Sequence, residues 1–202
     1  MSTHLRLAAM LLLIGGHAGG AEPPAPRATE VRTAIFAGGC FWCIEADFEK
    51  LPGVLAAESG YTGGRTANPS YEQVSAGTTG HTEAIRVSYD PQRVSYPQLL
   101  DYFWRHIDPT VRNRQFCDVG TQYRSGIYWQ NEAERKAAES SRDALLASGK
   151  LPHIETEIAA ATTFYPAEEY HQDYYKKNPI RYAYYRQGCG RDARVKQIWG
   201  SS

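Results

Sequence analysis

Residues 38–43 read Gly-Gly-Cys-Phe-Trp-Cys, and the chemistry this spacing offers is that of a thiol set on a strand-to-helix turn. A cysteine reacts as its thiolate. An apolar, strand-like run precedes the segment and a helix-like run follows it, so Cys40 falls at a helix N-terminus. Unpaired backbone N–H groups and the macrodipole there favour negative charge and lower a thiol pKa. Gly38 and Gly39 permit a tight turn and close approach of a ligand to the backbone, while Phe41 and Trp42 place bulky apolar surface beside the sulfur. Disulfide exchangers normally carry small residues between their two cysteines. Two large aromatics suggest instead a pocket for something apolar and compact. The competing interpretation is a plain buried disulfide, or two inert core thiols.

Four further positions have side chains suited to proton transfer or hydrogen-bond donation. Glu83 opens an apolar alternating run after Gly80-His81-Thr82, Tyr71 follows a loop, and Asp118 and Tyr123 stand in Cys-Asp-Val-Gly-Thr-Gln-Tyr-Arg. Singly, each has an ordinary explanation: a solvated strand-edge glutamate, a half-buried packing tyrosine, an aspartate in an Asx turn.

The elements that must carry these residues are readable from periodicity. Residues 32–37 form a buried strand, and 41–51 a helix with Ile44, Phe48 and Leu51 at helical spacing, ended by Pro52-Gly53. A second strand spans 54–61, and after a Gly- and Pro-bearing loop Ser70 caps a short turn carrying Tyr71. Ile85, Val87 and Tyr89 alternate in a third strand that stops at Asp90-Pro91. Ser95 with Pro97 opens a helix running through Ile107. Residues 111–124 lack a period and are expected as loop leading to a strand at 125–129; 131–148 is a polar, alanine-rich helix ended by Gly149. Residues 153–160 alternate as a strand, and 165–177 are expected as a last short helix. The stretch 179–199, with Gly188-Cys189-Gly190, shows no regular pattern. Strands and helices intermixed in this way indicate an α+β or α/β domain.

Bulk properties narrow the class. Arg6, the short apolar run 7–14, and Gly19 and Ala21 follow the layout of a secretory signal, so 1–21 is expected to be removed, 22–31 to be a proline-bearing linker and 32–202 to be a single catalytic domain. The apolar run is shorter than the about 20 residues a spanning helix needs. Export, periplasmic or secreted, is therefore the expected localisation, with no membrane attachment after cleavage. Basic and acidic side chains number 22 each, so no field draws nucleic acid or anionic lipid. Four cysteines in an exported chain could form two structural disulfides. Zinc is disfavoured, since Cys117 and Cys189 are isolated from each other and no paired histidines complete a ligand set. No metal is expected.

Taken together, Gly-Cys-Phe-Trp at 39–42, Gly-Tyr-Thr-Gly-Gly at 60–64, Asn-Pro-Ser-Tyr at 68–71, Gly-His-Thr-Glu-Ala at 80–84, Gly-Thr-Gln-Tyr-Arg-Ser at 120–125 and Tyr-His-Gln at 170–172 resemble the A-type peptide methionine sulfoxide reductases. The resemblance covers residues 33–180. It implies an α+β two-layer sandwich with a mixed sheet and a ferredoxin-like core, here with an irregular C-terminal tail. It further implies Cys40 as nucleophile, Glu83 as acid, and Tyr71 and Tyr123 as hydrogen-bond donors to the sulfoxide oxygen. Phe41 and Trp42 become the seat of the methyl group, and Asp118 holds a polar partner or water opposite Glu83. The chemistry explains the pairing of Cys40 with Glu83. Sulfoxide sulfur is electrophilic, but its oxygen leaves poorly unless protonated, and a desolvated carboxyl with a raised pKa can supply the proton near pH 7. One reductase type handles each sulfoxide epimer, and the family preference implies the S form here.

Reduction leaves a sulfenic acid that a second thiol must resolve. Cys43, three positions on along one helical face, leads; Cys189 in a tail able to swing over the site follows, and Cys117 is third. No bound cofactor is expected. Methionine sulfoxide, free or in peptides and proteins, is the expected substrate, a thioredoxin-like exported domain the reductant, and a monomer the working form. Two other functions stay open at this point: a general thiol–disulfide oxidoreductase using Cys40 and Cys43, and a non-enzymatic exported domain with two structural disulfides.

Overall fold

The computed structural model describes residues 30–200; the expected signal segment, and all but the end of the expected linker, lie outside the described residues. Along the chain run β1 (Arg32–Gly38), α1 (Phe41–Phe48), β2 (Val54–Thr62), α2 (Tyr71–Ser75), β3 (Thr82–Tyr89) and α3 (Tyr96–Trp104). A hairpin of β4 (Arg114–Gln115) and β5 (Asp118–Val119) and a 3-10 turn (Thr121–Tyr123) lead into β6 (Ser125–Trp129) and α4 (Glu132–Ala147). β7 (Glu157–Ala160), β8 (Tyr165–Pro166), α5 (Tyr174–Lys177), α6 (Pro179–Gly188) and α7 (Arg191–Trp199) complete it.

One sheet in the order β7-β6-β1-β3-β2-β8 organises the molecule. Its inner four strands pair antiparallel, β1 with both β3 and β6 and β2 with β3. With α1 and α3 as the crossovers, this is the ferredoxin-like βαββαβ arrangement. The parallel pairing of β7 on β6 makes the sheet mixed. Alternation along β1 divides the core. Ala34 and Phe36 join the cluster under α1, α3 and α4, where the Phe36 ring lies 5.2 Å from Phe48 and 5.1 Å from Phe103, while Ile35 and Ala37 face Ala84 and Tyr128 on the other side.

Local chemistry sets the helix starts. Ser70 with Gln73, and Ser95 with Gln98, form capping boxes, and Asn131 accepts the Glu134 N–H to open α4. Between β1 and α1 the chain turns at Gly39, whose φ of +80° belongs to glycine and whose missing Cβ would lie 2.5 Å from Gln115 Cβ.

The structure corrects the expectations for the last third of the chain. Residues 165–177 are not one helix: Tyr165–Pro166 pairs with Gly60–Tyr61 at the sheet edge, Asp173 is left-handed (φ 52°), and only Tyr174–Lys177 is helical. A free strand edge outcompeted local helical spacing, and Pro166 is tolerated there because its nitrogen faces away from the sheet, while the next N–H, of Ala167, donates inward to the Ser59 carbonyl. The strand expected over 153–160 is confined to Glu157–Ala160, with His153 and Glu155 instead held by the Thr110 and Pro109 carbonyls. The stretch 179–199, expected irregular, carries α6 and α7. Neither buries an apolar stripe. They dock through Arg191 to the Gly38 and His106 carbonyls, Tyr185 to Asp118 and the Trp199 indole to the Ile107 carbonyl, contacts that leave no hydrophobic period.

Candidate active site

Cys40 is the N-cap of α1 and is 7 % exposed. The first backbone donor of that helix does not serve the thiol: Phe41 N–H donates to Glu83 Oε2 at 3.0 Å. Glu83, on β3 opposite Tyr61 of β2, is buried, and desolvation raises its pKa to about 8, with the Phe41 bond opposing and Asp118 and Cys43 adding to the rise. The carboxyl is therefore protonated at neutral pH.

The same burial corrects the expectation for Cys40. Desolvation pushes its thiol well up rather than down, and the neighbouring Cys43 and Glu83 act in the same direction. Removal from water disfavours the anion, and the first N–H of the helix is given to Glu83 instead. Cys40 at rest is a thiol. Cys43 moves the opposite way: bonding from the Cys40 side chain favours its anion first, against burial, and Arg191 and Arg186 add to it. Both arginines converge on Asp47, one turn from Cys43 on α1, with Arg186 Nη1 at 2.9 Å and Arg191 Nε at 3.6 Å.

The four cysteines do not form two disulfides. Cys117 and Cys189 are bonded to each other across 72 positions of sequence, and Cys40 and Cys43 are free and buried. Cys189 is thus tied to the hairpin, and Cys43, whose N–H donates to the Cys40 carbonyl, is the unbonded thiol next to the proposed nucleophile.

The remaining expected residues gather around this centre. Tyr71 opens α2 with its N–H donated to Glu168 Oε1 at 2.9 Å, and burial, then Glu83 and Cys40, raise its phenol to about 12. Tyr123 closes the 3-10 turn, which is fixed by the Gln122 amide on the Ser75 carbonyl and by the Thr82 hydroxyl on the Gln122 carbonyl; burial and Glu83 likewise raise its phenol. Both stay protonated as donors. Phe41 is buried against Tyr61 and His171, with ring centroids at 5.9 and 5.0 Å. Trp42 is half-buried, stacked on Tyr174 at 3.7 Å and donating its indole N–H to His171 Nδ1 at 3.0 Å.

Asp118, raised by burial, takes the hydroxyl of Tyr185 at 2.5 Å. Tyr185, Arg186 and Arg191 had no sequence signal, because they lie on helices without hydrophobic period. His171 and Glu168 were within reach of motif reading, standing in or beside Tyr-His-Gln. His171 orients Trp42, and Glu168, which also receives the Tyr61 hydroxyl at 2.7 Å, orients Tyr71.

Comparison with known proteins agrees with this geometry. The family model described as peptide methionine sulfoxide reductase matches residues 32–202. The chain is 51% identical over 181 residues to peptide methionine sulfoxide reductase MsrA 2 of Caulobacter vibrioides, covering 90% of this chain and 92% of that one. Among solved structures, methionine sulfoxide reductase A of Corynebacterium diphtheriae superposes with a TM-score of 0.67 at 38% identity, covering 74% of this chain and 76% of that one. Mxr1 of Saccharomyces cerevisiae in reduced form gives 0.69 at 35%, covering 74% and 87%. In complex with Trx2 the yeast protein gives 0.50 at 25%, covering 78% and 91%.

Proposed function

Because this chain belongs to the peptide methionine sulfoxide reductase family and is a methionine sulfoxide reductase of the A type, we propose that Cys40 attacks the sulfoxide sulfur while Glu83 protonates the oxygen. The single observation that carries this reading is the buried, protonated Glu83 joined to the residue next to Cys40 by one backbone hydrogen bond. Tyr71 and Tyr123 donate to the same oxygen, so that it can leave sulfur without water to solvate it. Phe41 and Trp42 receive the methyl group, and the S epimer is the one accepted. The sulfoxide S–O bond breaks, the thioether departs with two electrons gained, and the oxygen ends on Cys40 as a sulfenic acid. The Cys40 thiol proton makes good the one that Glu83 delivers.

Cys43 then attacks the Cys40 sulfur, forming the disulfide and releasing water, and a thioredoxin-like dithiol returns both to thiols by exchange. Support for Cys43 is that it is the free thiol on the same helix, while Cys189 is already bonded to Cys117. Support for the reductant is the yeast relative's complex with Trx2. The protein is exported through residues 1–21, works as a monomer, and draws its electrons from an exported thioredoxin-like domain. Fractionation of cells followed by mass measurement of the mature N-terminus tests export, and light scattering tests the monomer.

The decisive experiment supplies one equivalent of each methionine sulfoxide epimer to the protein and maps the resulting disulfides by peptide mass. A new Cys40–Cys43 bridge with the S epimer alone is expected. A new bridge from Cys40 to Cys117 or Cys189 overturns the assigned resolver. Reduction of insulin disulfides without any sulfoxide turnover returns the site to general thiol–disulfide exchange.

A further inference from the structure

Tyr185 sits on α6, in the stretch the motifs do not reach. Its hydroxyl donates to Asp118 Oδ2 at 2.5 Å, its ring stands edge-on to Trp42 with centroids 5.6 Å apart, and it favours the anion of the neighbouring Cys40. It therefore touches Asp118 and the Trp42 ring, on the helix that Cys40 caps. One turn further along the helix stands Cys189, whose N–H donates to the Tyr185 carbonyl, and one residue before Asp118 on the hairpin stands Cys117. The Tyr185–Asp118 hydrogen bond and the Cys189–Cys117 disulfide thus join the same two elements, one helical turn apart, as two successive rungs. A hydrogen bond between segments 67 residues apart holds its geometry only if something fixes both segments, and the second rung is covalent.

We propose that Tyr185 is a further catalytic residue, whose hydroxyl turns from Asp118 to donate to the Cys40 sulfur as the thiol ionises, and that the Cys117–Cys189 disulfide is the tether that holds it there. The proposal rests on Cys40 being the nucleophile. The hydroxyl has one proton and two claimants. At rest Cys40 is a thiol and needs no donor, so the proton goes to Asp118. When the thiol proton passes to Glu83 in exchange for the one Glu83 gives the sulfoxide oxygen, the sulfur becomes the stronger acceptor and the Tyr185 hydroxyl turns to it. Without such a donor a thiolate shut away from water has little to stabilise it. Tyr185 is itself raised by burial, with Cys40 next, and so keeps its proton throughout. The other titratable groups acting on the sulfur are Cys43 from α1, Glu83 from β3, Tyr71 from α2 and Tyr123 from the 3-10 turn, and Tyr185 is the one that hydrogen-bonds Asp118.

Tyr185→Phe tests this, since it keeps the ring against Trp42 and removes only the hydroxyl. Two quantities are read on the full chain: the pH midpoint for alkylation of Cys40 by iodoacetamide, followed on the Cys40 peptide, and the single-turnover rate with one equivalent of free methionine sulfoxide. The midpoint is expected to rise by about one pH unit and the rate at pH 7 to fall about tenfold, the effect of losing one charge-assisted donor. The tether variant Cys117→Ser with Cys189→Ser is expected to move both quantities the same way by a smaller factor, and to add little when combined with Tyr185→Phe. A Tyr185→Phe protein that melts like wild type and leaves midpoint and rate unchanged overturns the role of Tyr185. A tether variant whose losses simply multiply with those of Tyr185→Phe overturns the tether. Activity surviving in Cys40→Ser, measured alongside, overturns the nucleophile assignment instead, so the two failures are distinguishable.

Discussion

The two cysteine pairs of this chain are opposites. Cys40 and Cys43 are three residues apart, buried and unbonded; Cys117 and Cys189 are 72 apart, lie toward the surface and are joined. Sequence proximity would assign the disulfide to the first pair. The environments assign it the other way: the near pair stands beside a protonated carboxyl and a converging set of arginines, as a site that must open and close needs, while the far pair fastens a helix to a hairpin. A C-x-x-C pattern by itself therefore says where two thiols are, and the fold says which pair is free and buried and which is joined.

The sharpest way to break that contrast is to remove each thiol in turn. Cys40→Ser is expected to lower sulfoxide reduction by more than about a thousandfold. Cys43→Ser keeps a single turnover with one equivalent of sulfoxide but loses repeated turnover with thioredoxin. A Cys43→Ser enzyme that cycles with thioredoxin at the wild-type rate would sink the working-pair reading.

Glu83→Gln comes next, with a fall of about a hundredfold or more in single-turnover rate. Wild-type activity should itself decline as pH rises through about 8, where Glu83 loses its proton. The same group has a stability consequence. Its folded pKa lies above the unfolded value near 4.5, so the folded state holds the extra proton between about 4.5 and 8 and stability falls with rising pH across that window. Glu83→Gln removes this penalty, on the order of 5 kcal/mol when complete. Thermal melts should find it more stable than wild type at pH 9 and little different at pH 4.5; the reverse ordering would refute a buried, neutral carboxyl.

For the fastening pair, Cys117→Ser with Cys189→Ser is expected to cost up to about 4 kcal/mol of stability in urea, the loop-closure value for a crosslink of this span, while a Cys40→Ser, Cys43→Ser protein should unfold near the wild-type midpoint. Equal midpoints for all three proteins would erase the difference between the pairs. The smallest effects are expected from Tyr71→Phe and Tyr123→Phe, about tenfold each in single-turnover rate, with the double variant slower than either because two donors partly cover for one.

Much of the ferredoxin-like core was legible because its strands and helices repeat apolar residues with periods of 2 and 3.6, and its helices open on Ser and Asn caps. Of the candidate site, Cys40, Glu83, Tyr71, Asp118 and Tyr123 were found as motif residues, and the structure gathers them around one buried thiol. The state of that thiol was not legible. A helix N-terminus is a local feature and lowers a cysteine, but desolvation depends on everything the fold packs around it.

The sequence by itself determined the order of the core elements, the family, and the residue types that meet at the sulfur. Only the tertiary structure decided which cysteines are bonded, that Glu83 rather than Cys40 receives the first helix donor, and that Tyr185, Arg186 and Arg191 dock against Asp118, Asp47 and the Gly38 carbonyl. The physical reason is the kind of force involved. Hydrophobic burial on regular elements writes a period into the chain. Hydrogen bonds, ion pairs and a disulfide between segments 67 to 153 residues apart write none, since each needs only one suitable side chain at each end.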